Sequence, residues 1–390
     1  MPVFLSMPVS KKQISLYFHI PFCSQKCDYC HFYVLPDKDP FKQQLMEGLE
    51  LEWKKILPLL SGCEVISIYF GGGTPSLLGI ESIAKILSWI EKEGVLHSYA
   101  EISLEANPEN VNTPLMKGYA NAGINRVSLG IQTFDPALLK ILHRTHTSER
   151  AYQAVEEIAT AGIRNISVDL MYDIPCQTFD QWVHTLQQVV KLPITHLSFY
   201  NLTIEPHTKF YKQQEQLKKV VPDPETSFTM LTYGIEQLEL HGLKRYEISA
   251  FARDACYSRH NVGYWTARPF LGLGPSAFSY WEEERFRNIA HLGRYVEKLR
   301  KDESPVDFRE KLGYEEHLRE LLAVELRLMK GVNLEEFHNR HGALTHSMHE
   351  TVRALIQSEF LLEDNHVLIL SEKGKNFYDT VAAEIVGCED

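Results

Sequence analysis

Residues 14–33 read ISLYFHIPFCSQKCDYCHFY. The first seven are rich in Ile, Leu, Tyr and Phe and stop at a proline, which predicts a β-strand. The remainder places three cysteines, Cys23, Cys27 and Cys30, in the loop that follows it. The same unit, a β-run and then a stretch with apolar residues three and four apart, recurs down the chain. The runs are ISLYFHI (14–20), VISIYF (65–70), AEISLEA (100–106), RVSLGI (126–131), NISVDLMY (165–172) and HLSFYNL (196–202). Phe41–Leu60, Ile80–Lys92 and Phe179–Val190 are examples of the helical stretches between them. The runs read as mostly apolar throughout, as strands covered by helices do. Six such units predict an α/β fold, an incomplete parallel barrel, with an open doubly wound sheet as the competing layout. In both, chemistry gathers at the carboxyl ends of the strands, where the cysteine loop falls.

The wider chain agrees with this class and excludes others. Its 390 residues, 44% hydrophobic and 23% charged, have the composition of an ordinary soluble globular protein. No apolar run approaches a membrane span, and MPVFLSMPVSKK lacks the basic start and apolar length of a signal peptide. A formal net charge of −11 argues against broad binding to a phosphate backbone, so no nucleic acid is expected. Seven cysteines, three of them bunched, suit a reducing cytoplasm and one metal site rather than a disulfide framework. Cys63, Cys176, Cys256 and Cys388 show no shared spacing and read as free thiols.

Three regions are expected. Residues 1–245 form the barrel. Residues 246–310 form a connecting β and loop region with YEISAFA, SRHNVGYW and FLGLGPSAFSY. Residues 311–390 form a mainly helical domain whose helices and hairpin, HVLILSEKG (366–374), look like a winged helix. That domain holds eight Lys and Arg against fifteen Asp and Glu, so packing or lid duty is favoured over DNA binding. An acidic winged-helix regulator is the reading from another class, and it requires DNA retention.

At C-x3-C-x2-C, three thiolates can each reach a different iron of a cubane cluster and leave the fourth iron open. Structural zinc is the alternative, but it takes four ligands, and His31 next to Cys30 is poorly placed to complete the set. Other chemistry-bearing residues sit at the strand ends. GGGTPS (71–76) follows the second run, with Gly72, Gly73 and Thr74 able to bring backbone and hydroxyl close to a ligand. Glu105 closes the third run, Gln132 the fourth, Asp169 lies in the fifth and Arg144 follows Gln132 by twelve residues. Carboxylates there accept hydrogen bonds from amines or ribose hydroxyls.

The cysteine spacing, with aromatic Tyr29 before the last cysteine, resembles the radical S-adenosylmethionine superfamily. The string YFHIPFC (17–23) resembles its coproporphyrinogen III dehydrogenase-like branch, which also holds the HemW heme chaperones. The resemblance runs from Tyr17 into the C-terminal region. It implies a partial (β/α)6 TIM-like radical SAM barrel and a [4Fe-4S] cluster on Cys23, Cys27 and Cys30. It also implies S-adenosylmethionine at the open iron, cleaved to a 5′-deoxyadenosyl radical. Tyr17, Gly72, Gly73, Thr74, Glu105, Gln132, Arg144 and Asp169 match the family's cofactor-contacting positions. Two features favour the heme chaperones over the dehydrogenases. Phe32 stands where the dehydrogenases carry an extra cysteine, and the first strand starts too early for their N-terminal extension. SRHNVGYW resembles a heme-binding motif of the chaperones, which implies heme on His260 packed by Tyr264 and Trp265. Val262 departs from the arginine expected there, and His19, His31 and His207 are the other candidate ligands. The partners implied are heme-accepting proteins and an electron donor, with peripheral membrane association and a homodimer as further options. No catalytic residue is assigned.

Overall fold

β1 (Lys12–Ile20) sets the pattern for the sheet. Ile14, Leu16, Phe18 and Ile20 are completely buried on one face, while Ser15, Tyr17 and His19 point to the other. The computed structural model describes residues 11–387. The N-terminal residues read for a signal peptide, up to Ser10, and Cys388 lie outside the described residues.

Five further parallel strands follow: β2 (Cys63–Gly72), β3 (Leu96–Ala106), β4 (Arg126–Gln132), β5 (Asn165–Tyr172) and β6 (His196–Asn201). All six expected runs are strands, each paired with the next in sequence. Helices cover the outer face. In Ile80–Lys92 the buried residues Ile83, Ile86, Leu87 and Ile90 recur at helical spacing. The helix Phe179–Val189 starts at a capping box in which Thr178 and Gln181 exchange hydrogen bonds.

The inner face is not apolar, and here the sequence reading is corrected. Ser15, Ser67, Ser103, Ser128, Ser167 and Ser198 give one serine per strand. Ser15 pairs in register with Ser67, and Ser128 with Ser167. Glu101, Arg126, Asp169 and His196 share that face. The period-two alternation exists, but Tyr, Ser and Gly among the apolar residues blur it.

The sheet continues beyond these six strands and, among the described residues, does not close. After β6 come β7 (Lys244–Glu247) and β8 (Ala250–Ala252), with β8 antiparallel to β6. β9 (Phe270–Leu273) lies parallel against the free side of β1. β10 (Phe278–Trp281), β11 (Glu284–Asn288) and β12 (Val306–Lys311) extend from it antiparallel. The twelve-stranded order is β12-β11-β10-β9-β1-β2-β3-β4-β5-β6-β8-β7.

A second core gathers residues between Leu318 and Ile385. It packs the helices Tyr314–Glu325, Leu334–His341 and His346–Gln357 on a small antiparallel sheet. That sheet holds β13 (Val332–Asn333), β14 (Leu361–Asp364) and β15 (Val367–Leu370). The hairpin lies one strand earlier than expected: HVLIL folds back on LLED, and Glu372–Asn376 is helical. Asn365 and His366 turn the chain with φ of 48° and 64°, the left-handed pair a tight hairpin needs. Among the described residues no helix is long and apolar enough to cross a membrane.

Candidate functional site

The cysteine loop leaves β1 through Phe22–Cys23, which pairs with Leu35–Pro36 and closes the segment between them into a loop. Within it the Cys30 amide donates to the Cys27 carbonyl at 3.2 Å. All three cysteines are half-buried and line one cavity of about 490 Å³ at the carboxyl ends of the strands. Gly72, Gly73, Thr74, Glu105, Gln132, Arg144 and Asp169 line the same cavity. The structure thus brings together ten of the twelve residues singled out from the sequence. Tyr17 and His260 are not on its wall.

A chain of hydrogen bonds ties two of the thiols together across the cavity. Thr74 Oγ1 donates to Cys23 Sγ at 3.7 Å and accepts from Asn107 Nδ2 at 3.0 Å. Asn107 Oδ1 accepts from Arg144 at 2.7 Å, and Arg144 also reaches Cys27 Sγ at 3.5 Å. Arg144 is fixed further by the Gly130 carbonyl at 2.5 Å. Asn107 was missed from the sequence, although it follows Glu105 by two residues and so shares its face. Burial pushes the Cys23 thiol up to about 11 and raises that of Cys30.

Besides lining the cavity, the glycines permit a close approach of backbone and ring. At Gly73 a Cβ would stand 2.6 Å from the Phe22 carbonyl oxygen, and its amide donates to Ile20. At Gly72, φ is +117° and a Cβ would come 2.6 Å from the His19 ring. This turn lies directly on the root of the cysteine loop, and only glycine permits that approach.

Two half-buried carboxyl groups form one wall. Glu105 accepts from Tyr69 at 2.8 Å and from the Gly72 amide at 3.0 Å. Burial nonetheless raises its pKa. Asp169 accepts from Ser128 at 3.3 Å. Burial, reinforced by Glu105 and opposed by Ser128, Ser198 and Arg126, pushes Asp169 up to about 7. Opposite them Gln132 holds a left-handed φ of 70° at the end of β4, and its Oε1 has no partner among the described residues. A strained polar residue with an idle buried acceptor facing a cavity is suited to a polar ligand.

Tyr17 lies a layer deeper, its hydroxyl 3.0 Å from His19 Nδ1 and its ring stacked on Tyr69. His260 lies deeper still. It opens the helix Arg259–Trp265, whose first amides, Arg259 and His260, donate to Glu101 at 3.1 and 3.0 Å. Glu101 in turn pairs with buried Arg126 at 3.5 Å. The His260 ring is 1% exposed, with Nδ1 3.1 Å from Ser67 Oγ and Nε2 2.8 Å from the Tyr264 hydroxyl. Burial lowers its pKa to about 3, so the ring is neutral. Between this helix and the main cavity lies a second cavity of about 60 Å³, lined by Ser103, Arg126, Asp169 and His196 among others. Of the other histidines, His19 is buried, His207 is exposed, and exposed His31 lines the main cavity against Phe32.

The donor set suits a thiolate-held cluster: the three cysteines share one loop and one cavity, with Thr74 and Arg144 donating to two of their sulfurs. Three thiols spread along one loop match a cluster whose irons are themselves separated.

Comparison with known proteins gives the family and the fold. Residues 17–189 match the Radical SAM superfamily and residues 314–377 match the HemN C-terminal domain. The chain belongs to the radical SAM superfamily, in its coproporphyrinogen III dehydrogenase-like branch, with its similarity directed to HemW. It is 32% identical to the heme chaperone HemW of Lactococcus lactis over 370 residues, 93% of this chain and 95% of that one. It is 29% identical to the heme chaperone HemW of Bacillus subtilis, covering 96% and 99%. It is also 31% identical to the mouse mitochondrial radical S-adenosyl methionine domain-containing protein 1, covering 97% and 89%. In fold it matches the Escherichia coli coproporphyrinogen III oxidase HemN, a radical SAM enzyme, with a TM-score of 0.85 at 21% identity. That match covers 97% of this chain and 91% of the other. Membership of the superfamily implies a [4Fe-4S] cluster and S-adenosylmethionine.

Proposed function

We propose that this chain is a HemW-like heme chaperone. It carries a [4Fe-4S] cluster on Cys23, Cys27 and Cys30, binds S-adenosylmethionine and heme, and passes heme to acceptor proteins. One observation carries the cofactor part: the three thiols, six residues in or just after the strands and Arg144 face a single cavity. The chaperone part rests on the HemW relatives that match nearly end to end.

When bound, the cluster supplies one electron for reductive chemistry on the sulfonium of S-adenosylmethionine. The chain's own residues bind and orient. Thr74 and the backbone of Gly72 and Gly73 form the floor beside Cys23. Glu105 and Asp169 offer carboxylate acceptors to a cationic ligand with hydroxyl and amine groups. Gln132 Oε1 is a free acceptor for a ligand donor. Arg144 places a positive charge against Cys27 and holds Asn107, which steadies Thr74. For heme, His260 would be the imidazole that holds the iron. The residue is 1% exposed and its Nδ1 and Nε2 are engaged by Ser67 and Tyr264, so binding there would require the helix Arg259–Trp265 to move.

The test pairs two assays on anaerobically reconstituted protein. Hemin titration is expected to shift the Soret band. Coproporphyrinogen III with S-adenosylmethionine and dithionite is expected to remain unconverted. Sustained formation of protoporphyrinogen would replace the chaperone reading with that of a porphyrinogen dehydrogenase. The cytoplasm is the proposed location, on the strength of reduced cysteines and an oxygen-labile cofactor.

A further inference from the structure

Beside the cysteine loop lies a groove of about 390 Å³ with a charge opposite to that of the whole chain. Its walls carry Lys26, Lys209, Lys212, His143 and His207, and Cys27 and Cys30 line it as well. The nearest acid, Asp28, is already engaged by Lys209 at 2.8 Å and by His143 at 3.6 Å. The segment 207–219, HTKFYKQQEQLKK, has four lysines and one glutamate in a chain of net charge −11. That glutamate, Glu215, pairs with Lys218. Tyr211, between two of the groove's lysines, is 41% exposed and offers an apolar contact point. This segment is fastened to the cysteine loop by the Phe210 amide, which donates to the Asp28 carbonyl at 3.1 Å. The basic surface is therefore built onto the loop that holds the thiols.

Resting on the cluster assignment above, we propose that this groove is the docking surface for an acidic one-electron carrier protein of the flavodoxin type. Two of the three thiols that face the cofactor cavity, Cys27 and Cys30, also face the groove. A carrier seated there brings its redox group up to the cluster without entering the cavity or displacing its ligand. One electron passes from the flavin hydroquinone, leaving a semiquinone, and the oxidised cluster becomes reduced by one. Basic residues around the entry point of an otherwise acidic protein steer an acidic donor to this face and repel it from the rest. Such steering weakens as salt shortens the screening length.

The test follows cluster reduction by stopped flow in the reconstituted full chain, with two donors: an acidic flavodoxin hydroquinone and reduced methyl viologen, a small cation. The variant Lys209→Glu/Lys212→Glu is expected to slow reduction by flavodoxin about tenfold or more at low salt. Reduction by methyl viologen is expected to hold or quicken. In the parent, added salt is expected to slow the flavodoxin reaction and leave the viologen reaction unslowed, a readout that needs no variant. Equal flavodoxin rates in parent and variant, or a parent rate indifferent to salt, would overturn the docking surface. A parent that takes up no cluster, or whose cluster viologen cannot reduce, would overturn the cofactor reading first.

Discussion

Asp169 offers a quantitative check on how the cavity is built. It is half-buried on the cavity wall, with its pKa raised from 3.8 to about 7 by desolvation and by Glu105. At ~1.4 kcal/mol per tenfold, that rise is worth about 4 kcal/mol. The sign is fixed by proton binding: the folded chain holds this proton more tightly than the unfolded one. The contribution is fully present below pH 3.8 and is lost as pH rises through 7. Roughly 2 kcal/mol of the loss falls between about pH 5.5 and pH 8.5. Asp169→Asn keeps the shape and an acceptor for Ser128 but cannot ionise. Relative to the parent it is expected to gain roughly 2 kcal/mol of stability across that interval. Relief of Glu105 from a neighbouring charge acts in the same direction. Urea unfolding of the cluster-free protein at several pH values measures the difference. Parent and variant curves that run parallel within about 0.5 kcal/mol would refute the desolvated carboxyl with its raised pKa. S-adenosylmethionine, a cation, favours the ionised form, so its affinity for the loaded parent should rise with pH over the same range. In the variant this dependence should flatten.

Other perturbations are equally direct. Glu101→Gln leaves Arg126 buried without its counter-charge and weakens the start of the helix Arg259–Trp265. The expected loss is about 3–5 kcal/mol in urea unfolding, and a loss below about 1 kcal/mol would contradict the pairing. Serine at Cys23, Cys27 or Cys30 should reduce iron uptake to background, while Cys63→Ser, Cys176→Ser and Cys256→Ser should retain it. Loss of iron in Cys256→Ser would redraw the site. His260→Ala should abolish the hemin-induced Soret shift, and Tyr264→Phe, which frees Nε2, should speed hemin binding. A shift that survives His260→Ala moves the axial ligand elsewhere.

Much of the site was legible because strand ends are legible. Once the β-runs were placed, Glu105, Gln132 and Asp169 had to fall on one rim, and the cysteine loop had to sit above the first strand. Arg144 was found by resemblance, but its role as the link between Gly130, Asn107 and Cys27 needed the folded loop. Depth along a strand is what sequence conveys poorly. Tyr17 and His260 belong to the interior beneath the cavity because both pack against Tyr69, Tyr17 stacked and His260 tilted, contacts between segments far apart in the chain. The GGGT turn was read as a ligand loop; Gly72 and Gly73 line the cavity, and their missing Cβ also allows a close approach to Phe22 and His19 that the sequence did not convey. The polar lumen was overlooked for a related reason: serine alternating with isoleucine or leucine looks like a slightly polar strand until six are set side by side.

The central claim is that the three cysteines hold a cluster with one iron left open to S-adenosylmethionine. Electron paramagnetic resonance of the dithionite-reduced, anaerobically reconstituted protein, recorded with and without S-adenosylmethionine, tests it most directly. The account expects the signal of a reduced [4Fe-4S] cluster that changes shape when the cofactor is added, because the ligand joins the open iron. A silent protein that retains zinc, or a cluster signal indifferent to S-adenosylmethionine, would contradict it.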